Sequence, residues 1–195
     1  MFVPTNESGK LYKLDDHILC AVSGITADAN YLVDDARLRS KQHTYSMKTP
    51  IYVEEIVKYI ADRKHTLTMF GSSRPFGVAL MYAGYDNTLG FQLYCSDPSG
   101  NYAAWKANAT GKNNAQAVST LKEDYVEGMT LMEGIVMAAK VLGKSMDVNK
   151  PDANRFEIGV VTLDDNRKVV QRRVAGAELD KVLTDAKVFE NLDKK

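Results

Sequence analysis

Reactive and metal-binding chemistry is scarce in this sequence of 195 residues, which holds two cysteines, three histidines and one tryptophan. Cys20 and Cys95 lie apart in apolar stretches, with no CxxC and no Cys/His ligand spacing. Both therefore read as reduced core residues. His17, His43 and His65 are dispersed, so no metal site and no cofactor is expected. Charge of one sign is also missing: lysine plus arginine and aspartate plus glutamate number 25 each. A chain without a net field has nothing with which to attract nucleic acid or an anionic membrane, so its partners must be recognised by shape. No apolar run approaches the roughly 20 residues of a membrane span, and Met1-Phe2-Val3-Pro4 gives way to polar residues where a signal peptide would stay apolar. The expectation is a soluble, intracellular protein.

Hydrophobic residues make up 45% of the chain, enough for a substantial core, and no linker, repeat or low-complexity segment divides it. Residues 1–195 read as one domain. Lys10 to Leu14 and His17 to Gly24 read as two strands about an acidic turn, the second apolar on both faces. Thr26 offers a cap to a helix running to Met47 with Ala29, Leu32, Val33 and Ala36 on its apolar side and Asp35 and Arg39 on its solvent side. Thr49-Pro50 offers a cap to a second helix striped by Val53, Ile56, Val57 and Ile60, with Arg63 and Lys64 toward its negative end.

Strands are then expected over Phe76 to Tyr82, Leu89 to Cys95 and Tyr102 to Ala109, with Gly84-Tyr85-Asp86-Asn87 and Asp97-Pro98-Ser99-Gly100 as turns. Beyond Gly111 come a helix carrying Ala115, Val118, Leu121 and Tyr125, and another opened by the capping box Thr130-Leu131-Met132-Glu133. A hairpin, Phe156 to Leu163 with Lys168 to Val174, precedes a last helix bearing Leu179, Val182, Leu183 and Phe189. Helix pairs interleaved with strands fit an α+β, four-layer αββα sandwich better than a Rossmann alternation of single strands and helices.

Reactive motifs are incomplete. Gly111-Lys112-Asn113 lacks the earlier glycine and the hydroxyl residue of a P-loop, and Ser23-Gly24 and Ser72-Ser73 lack the G-x-S-x-G elbow. Asp15-Asp16 and Asp164-Asp165 read as turns whose carboxylates point apart and solvate separately. Tyr102 and Trp105 have only Lys106 as a basic neighbour, so packing is their expected use.

Against this background one run stands out. Phe70-Gly71-Ser72-Ser73-Arg74-Pro75-Phe76-Gly77-Val78, followed by Tyr82-Ala83-Gly84-Tyr85-Asp86, resembles the central strand pair of 20S proteasome alpha-type subunits. Ser96-Asp97-Pro98-Ser99-Gly100-Asn101-Tyr102 extends the likeness, and Gly24-Ile25-Thr26-Ala27-Asp28-Ala29 matches the turn into the first long helix. Asn101-Tyr102, Trp105-Lys106-Ala107 and Leu121-Lys122-Glu123-Asp124-Tyr125 are most similar to the type-4 branch.

The resemblance implies the N-terminal-nucleophile hydrolase fold and a non-catalytic subunit of a heptameric outer ring. Such a subunit templates the beta rings and helps control access to the chamber, in ATP- and ubiquitin-dependent protein degradation in cytoplasm and nucleus. It implies as partners other alpha subunits, beta-ring subunits and proteasome activators, with neither nucleic acid nor membrane, and it makes Arg74, Pro75, Phe76, Gly77, Asp97, Pro98 and Gly100 a structural motif. It also implies that Lys10 lines a pocket receiving an activator's C-terminal carboxylate. Taken alone, without the resemblance, Lys10 reads as an ordinary strand-end lysine.

A beta-type active site needs an N-terminal threonine whose own amine is the base. Thr5, the only early threonine, follows Pro4 and not a glycine cleavage point. Relative to the family, the gating tail, an axial helix and two strands are missing before Phe2, so the chain is expected to be an N-terminally truncated version of a longer protein, its hairpin at 156 to 174 short of sheet partners. An active N-terminal-nucleophile hydrolase and a freestanding binding module on the same fold remain the alternatives.

Overall fold

A computed structural model describes residues 9–71, 74–146 and 156–186. Thr5, Ser72-Ser73 and Phe189 therefore lie outside the described residues. The chain has two compact units, Met1–Ala103 and Ala104–Lys195.

The first unit is built on a five-stranded sheet in the order β1 (Leu11–Asp15), β2 (Ile18–Gly24), β3 (Val78–Asp86), β4 (Gly90–Ser96) and β5 (Tyr102–Ala104). β1 to β4 pair antiparallel, with Ile18 opposite Gly84 and Tyr82 opposite Tyr94. Two helices, α1 (Thr26–Met47) and α2 (Val53–Met69), pack on one face of this sheet. Ala29, Leu32, Val33 and Ala36 of α1 meet Val53, Ile56, Val57 and Ile60 of α2 above Ile18, Cys20, Leu80 and Tyr82. Each large aliphatic side chain removed from water in this way contributes roughly 1.5–3 kcal/mol.

Several local expectations shift. α1 starts on Ile25 and α2 on Tyr52, neither with a side-chain cap, so Thr26 is already helical and Thr49-Pro50 lies outside α2. The helices are held by their packed faces and not by their caps. Gly84 belongs to β3 and not to a turn. A Cβ there would stand 2.8 Å from Val53 and 3.0 Å from the His17 carbonyl, so glycine is present because helix and neighbouring strand press close. Asp35 and Arg39 do not pair along α1; Asp35 accepts from Tyr59 and Arg63 of α2, and Arg39 reaches Glu55. They tie the two helices together. β5 ends at Ala104, short of the expected Ala109, where the chain bends at Lys106.

The second unit comprises α3 (Asn114–Asp124), α4 (Leu131–Ser145), the antiparallel hairpin of β6 (Ile158–Leu163) and β7 (Val169–Val174), and α5 (Ala177–Asp185). Ile135 and Ala139 of α4 and Leu179, Val182 and Leu183 of α5 close over Phe156, Val160 and Val174. α3 buries Ala117, Thr120 and Leu121 while Ala115 is exposed, so its inward face is rotated from the one expected. The Thr130–Glu133 capping box is formed, the threonine accepting from the Glu133 amide and the glutamate from the Thr130 amide. Each unit thus sets helices on a sheet, the two kinds of layer that an αββα sandwich combines.

Candidate functional site

The signature residues form a clamp at the start of α1. Gly24 ends β2, and the Ile25 amide donates to the Gly77 carbonyl at 2.9 Å, which brings the segment before β3 against the helix start. Asp28, in the first turn of α1, accepts from both terminal nitrogens of Arg74 at 2.7 Å and from the Gly77 amide at 2.8 Å. This fork is bidentate and charge-assisted. Hydrogen bonds from Arg74, then from Gly77, hold the Asp28 carboxyl down to about 2. Phe76 stacks on Tyr31 at 5.8 Å, while Pro75 is exposed and its carbonyl accepts from Arg74. The pair Arg74 and Asp28 is a positioning device: it saturates a carboxylate and offers no lone acid or base.

Lowering the folded-state pKa of Asp28 below its unfolded value of 3.8 adds stability that is present above pH 4 and lost as pH falls through about 2. Because its Arg74 partner is largely in water, we expect Asp28→Asn to remove only about 1–2 kcal/mol near neutrality. Denaturant titrations at pH 7 and pH 2.5 should show the two proteins converging in acid. Curves that stay equally separated would remove the charge from the account.

The second signature segment is a turn seated on α2. Asp97 Oδ1 accepts from the Ser99 amide at 2.8 Å and the Ser99 hydroxyl at 2.6 Å, and the Gly100 amide donates to the Asp97 carbonyl at 3.2 Å. Pro98 takes the exposed second position, where its fixed φ suits the turn. Gly100 lies against the backbone of Ala61 and His65. Lys10 stands elsewhere, exposed beside the edge strand β1, its carbonyl accepting from the Val22 amide at 2.9 Å.

Two constellations of catalytic residue types were not legible in motif form. Ser96 Oγ lies 2.9 Å from Lys64 Nζ and 3.2 Å from the Tyr82 hydroxyl. Burial lowers the Lys64 pKa to about 8, raises the nearby Cys20 thiol to about 12, and pushes Tyr82 up. A serine beside a weakly basic lysine is nucleophile chemistry in kind. Here Lys64 is 0% and Ser96 2% exposed, so no substrate reaches them and the trio is an internal polar strut. The sequence places Lys64 with Arg63 toward the negative end of α2; it also falls four residues after Ile60, in phase with the buried stripe. That phase was the available signal.

The other constellation joins Asp15, His17 and Ser40. Its wiring is not that of a triad, because Ser40 donates directly to Asp15 Oδ2 while His17 Nε2 donates to the Ile51 carbonyl at 2.6 Å. Lys41 Nζ adds a bond to Asp15 Oδ1 at 2.7 Å. Burial works to raise the Asp15 pKa, but hydrogen bonds from Lys41, Ser40 and the Asp16 amide outweigh it and hold the carboxyl low. Asp15 is thus buried and engaged, contrary to the solvated turn expected, whereas Asp16 does face water beside Lys13.

A pocket of about 460 Å³ is lined by Asp28, Tyr31, Arg63, Thr66, Leu67 and Phe76. Its charged groups are engaged, Asp28 by Arg74 and Arg63 by Asp35 and Tyr31. Among the described residues no three His, Cys, Asp or Glu side chains gather to hold a metal, and no helix is long and apolar enough to cross a membrane.

Residues 2–161 match the Proteasome family, described as proteasome subunit. The chain is 43% identical over 177 residues to proteasome subunit alpha type-4 of Spinacia oleracea, covering 91% of this chain and 71% of that protein. It is 46% identical over 178 residues to subunit alpha type-4-1 of Oryza sativa subsp. japonica, with the same coverages. With subunit alpha type-4 of Petunia hybrida it shares 43% identity over 179 residues, 92% of this chain and 72% of the relative.

Proposed function

The chain belongs to the proteasome subunit family as a non-catalytic subunit of the alpha type, and from that premise we propose its place in the particle. It occupies one position in a heptameric alpha ring of the 20S core, between sister alpha subunits, and docks a beta ring through α1 and α2. In that position it templates the beta ring and contributes to access and activator docking in ATP- and ubiquitin-dependent degradation, in cytoplasm and nucleus. The observation that carries this reading is the Arg74–Asp28–Gly77 clamp. It spends the signature residues on fixing the start of α1, which is what a subunit needs if it contributes a rigid surface.

The outward side of the helix pair supports the docking assignment. Tyr31, Leu38 and Tyr45, spaced every two turns along α1, are 53%, 57% and 79% exposed. A repeat of seven keeps such a column on one side of a helix, which suits packing against another helix. Native mass spectrometry of particles purified through an affinity tag on this chain tests the proposal. The expected result is a core particle containing the chain with other alpha and beta subunits. Recovery of the intact, folded chain as a monomer alone would overturn it.

Lys10 is proposed to receive an activator's terminal carboxylate, as the family resemblance suggests. Its exposure beside the edge strand β1 is compatible with such contact. A charge-assisted hydrogen bond of about 1.5 kcal/mol corresponds to about tenfold in affinity. Lys10→Ala should therefore weaken activator-stimulated peptide hydrolysis about tenfold at limiting activator while leaving ring assembly intact. Equal stimulation of both particles would dismiss the role.

A further inference from the structure

We propose that Thr49 is the phosphoacceptor of a proline-directed protein kinase, and that a phosphate there withdraws the end of the α1–α2 pair from docking. The second half rests on the docking reading above. Of the five prolines, only Pro50 follows a hydroxyl-bearing residue. As a helix cap the dipeptide would be consumed structurally, but Tyr52 occupies that position. The Thr49 hydroxyl makes no hydrogen bond among the described residues.

The geometry suits modification. Residues 45–50 are all exposed, and α1 ends at Met47 with Lys48 turning left-handed at φ 58, so Thr49-Pro50 leaves the helix on the surface. A residue before proline is steered away from helical and toward extended backbone, the form a kinase cleft can take in. Thr49 Oγ attacks the γ-phosphorus of the nucleoside triphosphate held by the kinase. An Oγ–P bond forms, the bond from that phosphorus to the β,γ-bridging oxygen breaks, the diphosphate leaves, and the hydroxyl proton passes to the kinase's base.

The added group carries about −1.5 to −2 charges. It arises beside Lys48, whose ammonium sits 4.7 Å over the Tyr45 ring, and competes with that ring for the cation. Glu54 and Glu55 fill the first turn of α2, so the phosphate finds like charge there and stays toward solvent. Its neighbours along the chain, Tyr45, Met47 and Tyr52, have 79%, 64% and 54% of their surface exposed. Docking these three would bury a dianion with them, and desolvation opposes that.

Purified chain and purified particle are each incubated with a proline-directed kinase and adenosine triphosphate, and phosphopeptides are mapped by mass spectrometry. We expect incorporation at Thr49 in the free chain, loss of that phosphopeptide in Thr49→Ala and Pro50→Ala, and lower incorporation in the assembled particle. Thr49→Glu should enter particles on the order of tenfold less than Thr49→Ala when the two are co-expressed. No phosphate at Thr49 of the folded free chain, or incorporation unchanged in Pro50→Ala, overturns the site. Phosphorylation together with equal assembly of Thr49→Glu and Thr49→Ala overturns the effect on docking. Failure of the unmodified chain to join any particle would instead refute the docking reading and leave the phosphopeptide map to judge the site.

Discussion

Replacing Gly24 with alanine is expected to lower stability by at least about 3 kcal/mol and to release the signature segment from α1. The backbone there has φ 130, a region that side chains rarely adopt, and an added Cβ would lie 2.2 Å from the Gly77 carbonyl oxygen and 2.9 Å from the Val78 Cα. Both obstacles are backbone, so no rotamer change relieves them. Separating the strands at this point breaks the bond from the Ile25 amide to Gly77, and with it the approach of Gly77 to Asp28. Chemical denaturation gives the loss, and hydrogen exchange at residues 74–78 should rise with it. Gly100→Ala is the matched comparison, since a Cβ there meets the Ala61 carbonyl at 2.6 Å at φ 92. A Gly24→Ala protein as stable as its parent would mean that the close approach of these two segments is not needed.

The second large effect concerns Lys64 and appears with rising pH. In the fold burial lowers its pKa to about 8, whereas the unfolded lysine titrates near 10.5. Below pH 8 both states are charged and the fold bears the full penalty of a buried ammonium. Between about pH 8 and 10.5 the unfolded chain binds more protons, so stability contributed by this group rises with pH, by about 3 kcal/mol over the window. Cys20 acts in the opposite sense above pH 9, because its thiol stays protonated in the fold up to about 12. Lys64→Met isolates the lysine: it retains length, and Ser96 can still pair with Tyr82. At pH 7 the methionine protein should be as stable as the parent or more so. By pH 10 the balance should have moved toward the parent by about 3 kcal/mol. Parallel urea profiles at the two pH values would show that Lys64 does not bear the burial penalty described.

Much of the first unit was legible because it follows period. The stripes of α1 and α2 predict the residues that pack on the sheet, and the capping box predicts the start of α4. Asp97-Pro98-Ser99-Gly100 announces its turn through residue types that tolerate few other backbones. Less visible was anything that depends on a neighbour distant in sequence. Asp28 carries no local mark of its attachment to Arg74, and Asp15 resembles any turn aspartate until Ser40 and Lys41 are brought to it. The inward face of α3 was also misread, since Ala115 and Ala117 are equally apolar and only packing chooses between them.

The sequence by itself determined the periodicities, the turn chemistry and the signature segments that place this chain among alpha-type proteasome subunits, because those properties reside in near neighbours. Tertiary structure alone decided which carboxylates are engaged, that Lys64 and Ser96 form a sealed strut and not a nucleophile, and that Thr49 is exposed and does not cap α2. Burial and hydrogen-bond partnership are set by segments far apart along the chain, and they change the chemistry of a side chain whose identity stays the same.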